Sequence, residues 1–275
     1  MTDYRATDYR ALIVVDGEND FCDGGSLPVP GAAQVLAWTS SFVKTARSRY
    51  RVVVATRDFH IAPAGHFARV GTEPDYVGTW PAHCVAGTWG SEYHPALVLP
   101  EGTVHVVKGM YSAAYSGFEG FLVAGPGDPP SVRSTGSSAP PLRWTAQGLD
   151  ELLKAQGVTD IDIVGIAESH CVKSTALDGA QLGYRVRVLA DLTVGVSPET
   201  TAAAREAMSR AGVERASSGD VLAEIGRSDR PAPSPDDGHG AVPGHERAHA
   251  PVSPARGPGV PGDRGPVSRG AGEPR

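Results

Sequence analysis

Apolar runs of four to six residues recur along the chain, with helix-patterned segments between them. ALIVV at 11–15, RVVVAT at 51–56, VHVV at 104–107, IDIVGI at 161–166 and YRVRVL at 184–189 are rich in β-branched residues. Near-continuous apolar strands predict a parallel sheet covered on both faces. Between the runs, Ala32–Ser48 carries Val35, Leu36, Phe42 and Val43 at helical spacing. Leu149–Gln156 and Ser169–Leu182 read as helices that stop at Gly157 and Gly183. Ser197-Pro198 is a cap with proline at the first helical position, opening a helix through Arg210 to Gly212. Strand–helix alternation of this kind predicts a doubly wound α/β fold, its mostly parallel sheet flanked by helices on both faces.

The pattern stops near Arg230. The 45 residues from Pro231 to Arg275 hold 10 Pro and 9 Gly, and four valines are their only large aliphatics. Such a segment buries too little apolar surface to offset ordering entropy, so a disordered tail is expected over 229–275. Ala124–Pro141, with five Pro, three Gly and four Ser, reads as a flexible surface insertion. TDYRA occurs twice in succession, at Thr2–Ala6 and Thr7–Ala11; residues 1–10 read as an extension, which leaves one domain over 11–228. The net charge of −6 argues against a nucleic-acid partner. No run approaches the roughly 20 apolar residues of a membrane span, and the N-terminus has no apolar signal region. Cys22, Cys84 and Cys171 cannot all pair with one another and are expected as reduced thiols in a cytoplasm.

In a doubly wound sheet the site lies beyond the carboxyl ends of the strands. Asp16, Asp58, Lys108 and the Gly165–Cys171 segment occupy those ends. Alone, Asp16 reads as a turn aspartate, Lys108 as a solvated lysine and Cys171 as an inert buried thiol. Together they offer a base, an electrostatic stabiliser and a nucleophile at equivalent strand ends. A helix start and a nearby lysine are expected to lower the Cys171 pKa. His170 invites a Cys–His dyad, but adjacent residues at a helix start point in different directions.

A second constellation is Asp58, His60, His66 and His83. Half of the six histidines before the tail fall in this window. One carboxylate and three imidazoles suit one divalent ion such as zinc, iron or manganese, although the spacing follows no standard metal motif. Cys84 directly follows His83 and is expected to point the opposite way.

VVDGENDFCDGGSLPVPG (14–31), ATRDFH (55–60), TWPAHCV (79–85), VKGMYSAAYSGFEG (107–120) and GIAESHCVKSTALDG (165–179) resemble bacterial nicotinamidases, members of the isochorismatase-like cysteine hydrolases. The resemblance runs from about Ala11 to Ala223 and skips the insertion. It implies an isochorismatase-like fold and an amidohydrolase that converts nicotinamide to nicotinate and ammonia, accepts pyrazinamide and feeds NAD salvage. Carried over by position, it makes Cys171 the nucleophile, Asp16 the general base and Lys108 the third member of a triad. It makes Asp58, His60, His66 and His83 ligands of a metal that binds the ring nitrogen of the substrate. It places a cis peptide between Ile166 and Ala167, an oxyanion hole at the N–H groups of Ala167 and Cys171, and a ring slot lined by Phe21, Trp80, Tyr115 and Ile166.

Two places depart from the family pattern. Gly17-Glu18 stand where Val-Gln is common, and Glu168-Ser169 where Thr-Asp is common. Both flank the expected site. Glu18 shares a face with Asp16 along an extended chain, yet a solvent-facing Glu18 is the expectation. The rival readings are a related amidase for carbamoyl or ureido substrates and a non-catalytic metal-binding interaction protein. The sequence leaves oligomeric state open; the expected partner is a small-molecule amide.

Overall fold

A computed structural model describes residues 9–123 and 144–228. The insertion expected over 124–141, the tail over 229–275 and residues 1–8 of the expected extension lie outside the described residues. Arg10 already belongs to the first strand.

The elements follow one another as β1 (Arg10–Val15), α1 (Ala32–Ala46), β2 (Val52–Asp58), β3 (Val104–Lys108), β4 (Phe121–Val123), β5 (Trp144–Gly148), α2 (Leu149–Ala155), β6 (Asp160–Ile166), α3 (Lys173–Gln181), β7 (Arg185–Val194), α4 (Pro198–Arg210), β8 (Glu214–Ala216) and α5 (Ser218–Ser228). The strands form one sheet in the order β5-β4-β3-β2-β1-β6-β7-β8. β4 runs antiparallel to both neighbours and the other pairings are parallel. This is the doubly wound α/β architecture that the apolar pattern predicts.

Alternation along β1 shows why both faces must be covered. Leu12 and Val14 enter a core with Leu36, Phe42 and Val43 of α1 and Val221 of α5. Ala11, Ile13 and Val15 enter the opposite core with Leu149 and Leu153 of α2, Ala176 of α3 and Met208 of α4. All five β1 side chains are fully buried, which explains a strand with no polar position after Arg10. α1 and α3 therefore leave adjacent strands β1 and β6 toward opposite faces. That divergence opens a crevice at the carboxyl ends of these two strands.

Several boundaries differ from the sequence reading. The helix expected over 32–48 ends at Ala46, and Arg47–Arg49 finish as a 3-10 turn. The segment expected as one helix from Ser169 begins as a π turn over Glu168–Val172, with α-helix only from Lys173. β7 continues to Val194, and β4, β5 and β8 had no apolar pattern strong enough to announce them. The α4 cap stands as read, with Ser197 Oγ accepting the Thr200 N–H at 3.2 Å. Among the described residues no helix is long and apolar enough to cross a membrane.

Gly165 sets how close β6 comes to β1. It pairs with Val15 where the β6–β7 register shifts, and its φ is +112°. A Cβ there would sit 2.1 Å from the Val15 carbonyl oxygen. Only glycine fits this approach.

Candidate active site

β1, β2 and β3 each end on a charged side chain, and all three are buried: Asp16 follows β1, Asp58 ends β2 and Lys108 ends β3. The Lys108 ammonium lies between the carboxylates, 2.8 Å from Asp16 Oδ2 and 2.6 Å from Asp58 Oδ1. It also reaches Cys171 Sγ at 3.5 Å and the Ala114 carbonyl at 3.4 Å. Asp16 is held on its other side by the Thr56 hydroxyl, which donates to Oδ1 at 2.7 Å. A carboxylate oxygen of Asp16, one of Asp58 and the Cys171 sulfur all lie within 4.8 Å of one another. Asp16, Lys108 and Cys171 thus meet as their strand-end positions suggested.

The electrostatics differ from the sequence reading at the thiol. Burial pushes Cys171 well above the usual thiol range, and Asp16 and Asp58 add to it; Lys108 opposes them and does not prevail. The expected depression fails because the thiol is buried and faces two carboxylates as well as one ammonium. Burial also raises Asp16, against the pull of Lys108. For Asp58, burial is outweighed first by the Lys108 ammonium and then by the His60 and His83 rings beside it, which hold its carboxyl well below the usual range. Burial works against the Lys108 charge, but the two carboxylates overcome it and push its pKa well above that of a free lysine.

His60, His66 and His83 converge beside Asp58. One ring nitrogen of each lies within 4.8 Å of the other two. Asp58 Oδ2 is 3.6 Å from His60 Nε2 and 3.8 Å from His83 Nε2. His60 Nδ1 meets the Gly109 carbonyl at 2.6 Å and His83 Nδ1 the Pro81 carbonyl at 2.8 Å. A carbonyl only accepts, so both Nδ1 atoms donate there, which turns both Nε2 atoms toward Asp58. His60 Nε2 and His66 Nδ1 are buried without a hydrogen-bond partner. Burial, reinforced by His60 and His83, pushes His66 down to about 4, leaving it neutral at pH 7. Three imidazoles around a carboxylate, two of them with an orphaned nitrogen, fit a divalent transition metal. Gly109 makes room for the arrangement, since a Cβ on it would lie 2.5 Å from the His60 ring. Cys84 turns into the core and takes no part, as its position next to His83 suggested.

Above the thiol is a pocket bordered by Phe21, Trp80 and Tyr115, with His66 and His83 of the histidine cluster on one side and Ala167 beside Cys171. Trp80 Nε1 donates to the Tyr115 hydroxyl at 2.9 Å, joining two walls. Ile166 does not line the pocket. It is fully buried in the core on the α1 side, and the wall starts at Ala167. The Ile166–Ala167 peptide is cis. Leu27, Val29, His170 and Val196 also line the space, and the sequence reading did not assign them there. His170 is a wall residue, edge-on to Trp80 at 5.2 Å, with Nδ1 2.8 Å from Ser169 Oγ.

Two acids near the site were misjudged or missed. Glu18, expected in solvent, is fully buried, and its Oε1 accepts the Asp58 N–H at 2.5 Å. Burial, then the charges of Asp16 and Asp58, hold its pKa well above the usual range. Asp20 ties two loops together by accepting the Ser26 N–H at 3.0 Å and the Cys84 N–H at 2.7 Å, which fixes the chain next to His83. Its place in the Asn-Asp-Phe motif was the only signal.

Known proteins share this arrangement of elements. The nicotinamidase/pyrazinamidase of Mycobacterium tuberculosis is 46% identical over 205 residues, 74% of this chain and 97% of that protein. The nicotinamidase of Escherichia coli is 33% identical over 214 residues, 74% of this chain and 92% of its own length. The crystal structure of the pyrazinamidase of Pyrococcus horikoshii in complex with zinc superposes with a TM-score of 0.59 at 31% identity, covering 76% of this chain and 99% of that one. The isochorismatase domain family matches residues 10–128 and 131–220, a span that opens on the first residue of β1, breaks only inside the insertion and reaches into α5. With the whole sheet and every strand-end group inside that span, the chain belongs to the isochorismatase domain family.

Proposed function

We propose that the chain hydrolyses nicotinamide to nicotinate and ammonia through a thioester on Cys171, and that it accepts pyrazinamide as well. The observation that carries the reading is the buried group of Asp16, Lys108 and Cys171 beneath a pocket with aromatic walls. The similarity to nicotinamidases and pyrazinamidases supports the choice of substrate.

Cys171 rests as a thiol, so its proton must leave as the sulfur attacks the carbonyl carbon. Asp16 receives it, and burial makes Asp16 a stronger base than an exposed aspartate. The Ala167 and Cys171 N–H groups are assigned to the developing oxyanion, which donors fixed in advance stabilise most effectively. Asp16 then protonates the departing ammonia. Water, deprotonated by Asp16, attacks the thioester carbon; the C–S bond breaks and the thiol is restored. Lys108 stays protonated and keeps two carboxylates tolerable in one buried site.

Asp58, His60, His66 and His83 are the residues that would hold one divalent ion, with zinc, iron and manganese all suited to the donors. When bound, such an ion supplies a Lewis acid for the lone pair of a pyridine-type ring nitrogen. Three free thiols suit a reducing cytoplasm.

The deciding experiment compares kcat/KM for nicotinamide and benzamide, which has the same amide but no ring nitrogen. Benzamide should be much the poorer substrate. Chelation or His60→Ala should collapse nicotinamide turnover and cost benzamide turnover far less. Equal fractional losses would make the ion structural, and absence of ammonia release from nicotinamide would reject the substrate.

A further inference from the structure

Glu168 follows Ala167 directly and opens the π turn that carries Cys171. Its side chain does not join the pocket wall, although both Ala167 and Cys171 do. It is fully buried and runs the other way, toward α4. There Arg205 Nε donates to Oε1 at 2.8 Å and Arg205 Nη2 to Oε2 at 2.7 Å, a two-pronged contact across 37 residues. Arg215 of β8 adds a third positive group, its Nε 3.8 Å from Oε1. The neighbouring residue ties the same turn to the loop after β7, with the Val196 N–H donating to Ser169 Oγ at 3.1 Å. Glu168 and Ser169 are the two positions at which the motif departs from the common Thr-Asp pair.

A planar guanidinium bound through two nitrogens fixes direction as well as distance. The residue so fixed lies next to one N–H assigned to the oxyanion and three residues before the other. Within the turn, the Ala167 carbonyl accepts the N–H groups of His170 at 2.9 Å and Val172 at 3.1 Å, so a shift at 168 is passed to the segment holding Cys171. We propose that Glu168 and Arg205 form a clamp that positions the Ala167–Cys171 turn, setting the aim of its N–H donors and of the sulfur at the substrate carbonyl. Both are positioning residues, touching neither substrate nor reacting atoms. The inference rests on the amide-hydrolysis reading for its effect on turnover.

The test compares the wild type with Arg205→Ala, Arg205→Lys and the paired Glu168→Gln/Arg205→Gln. A misplacement of about 1 Å at a catalytic site can cost about a hundredfold. Arg205→Ala is therefore expected to lower kcat for nicotinamide by about tenfold to a hundredfold, with KM within about twofold. Arg205→Lys keeps the charge without the fork and should fall between. Ligand binding separates aim from general damage. Pyridine-3-carbaldehyde should add to Cys171: the sulfur bonds to the aldehyde carbon, the π pair moves to oxygen and the thiol proton passes to Asp16. That alkoxide needs the N–H donors, whereas 3-methylpyridine fills the ring slot and carries no oxygen. Aldehyde affinity should fall in step with kcat, and 3-methylpyridine affinity should hold. Equal losses for the two ligands, or an unchanged kcat per folded site, would overturn the clamp. If Arg205→Ala does not fold, the paired variant carries the same comparison without a bare buried carboxylate. A wild type that binds the aldehyde but leaves nicotinamide intact would reject the substrate alone, and the two-ligand comparison would still decide the clamp.

Discussion

Cys171 has to lose its proton in surroundings that resist its ionisation, so the thiol and its base act as one unit. Cys171→Ala should abolish ammonia release while leaving metal content and melting temperature close to wild type. Iodoacetamide should label Cys171 before the wholly buried Cys22 and Cys84, yet more slowly than a free thiol, which peptide mass mapping would read. Labelling of Cys22 or Cys84 first would contradict the burial order. The pH profile follows from Asp16. A base must be unprotonated to act, and its pKa is raised, so the acid limb of kcat/KM should fall at a pH above the ordinary aspartate value of about 3.9. Glu18→Gln should leave that limb in place: burial holds the Glu18 pKa well above the usual range and so favours the neutral form that glutamine copies, and a glutamine oxygen can accept the same Asp58 N–H. A limb displaced to lower pH in that variant would show that Glu18 is ionised. Residue identities were legible in the sequence wherever they sat at strand ends, as with Asp16, Lys108 and Cys171. The directions of Glu18 and Glu168 were not. Each is decided by a partner about 40 positions away, Asp58 for one and Arg205 for the other.

At the scale of elements, the apolar runs announced β1, β2, β3, β6 and β7 because those strands are buried on both faces and tolerate few polar residues. β4, β5 and β8 sit toward the edges with half-exposed positions, so burial leaves no such imprint on them. The π turn was also hidden, since its residues look like an ordinary helix start. Gly165 shows how strictly two elements can depend on one position. Gly165→Ala places a methyl against the Val15 carbonyl at a φ that side chains disfavour, and a loss on the order of 3 kcal/mol is expected from the clash and the strained backbone together. Urea unfolding of the variant measures it. A change below about 0.5 kcal/mol, the range of ordinary surface substitutions, would mean that β1 and β6 separate easily.

Across the whole molecule, the matched domain ends at residue 220 and α5 at Ser228. Among the described residues, every one that lines the pocket precedes them. Removing 231–275 should therefore leave kcat and KM for nicotinamide unchanged, and a change beyond about twofold would assign the tail a part in catalysis. The order of strands in the sheet bears on how the protein comes into being. Neighbours in the site lie far apart in sequence: Thr56 is 40 positions from Asp16, Lys108 is 50 from Asp58, and Cys171 is 63 from Lys108. Pairings between distant segments form late, because a long loop must close before any contact rewards it. During synthesis β1, β2 and β3 emerge first and carry a base and an ammonium, but the thiol arrives only with β6, which must take its place beside β1. A chain that stops short of Cys171 carries no nucleophile, so hydrolysis waits until β6 has been made and seated beside β1.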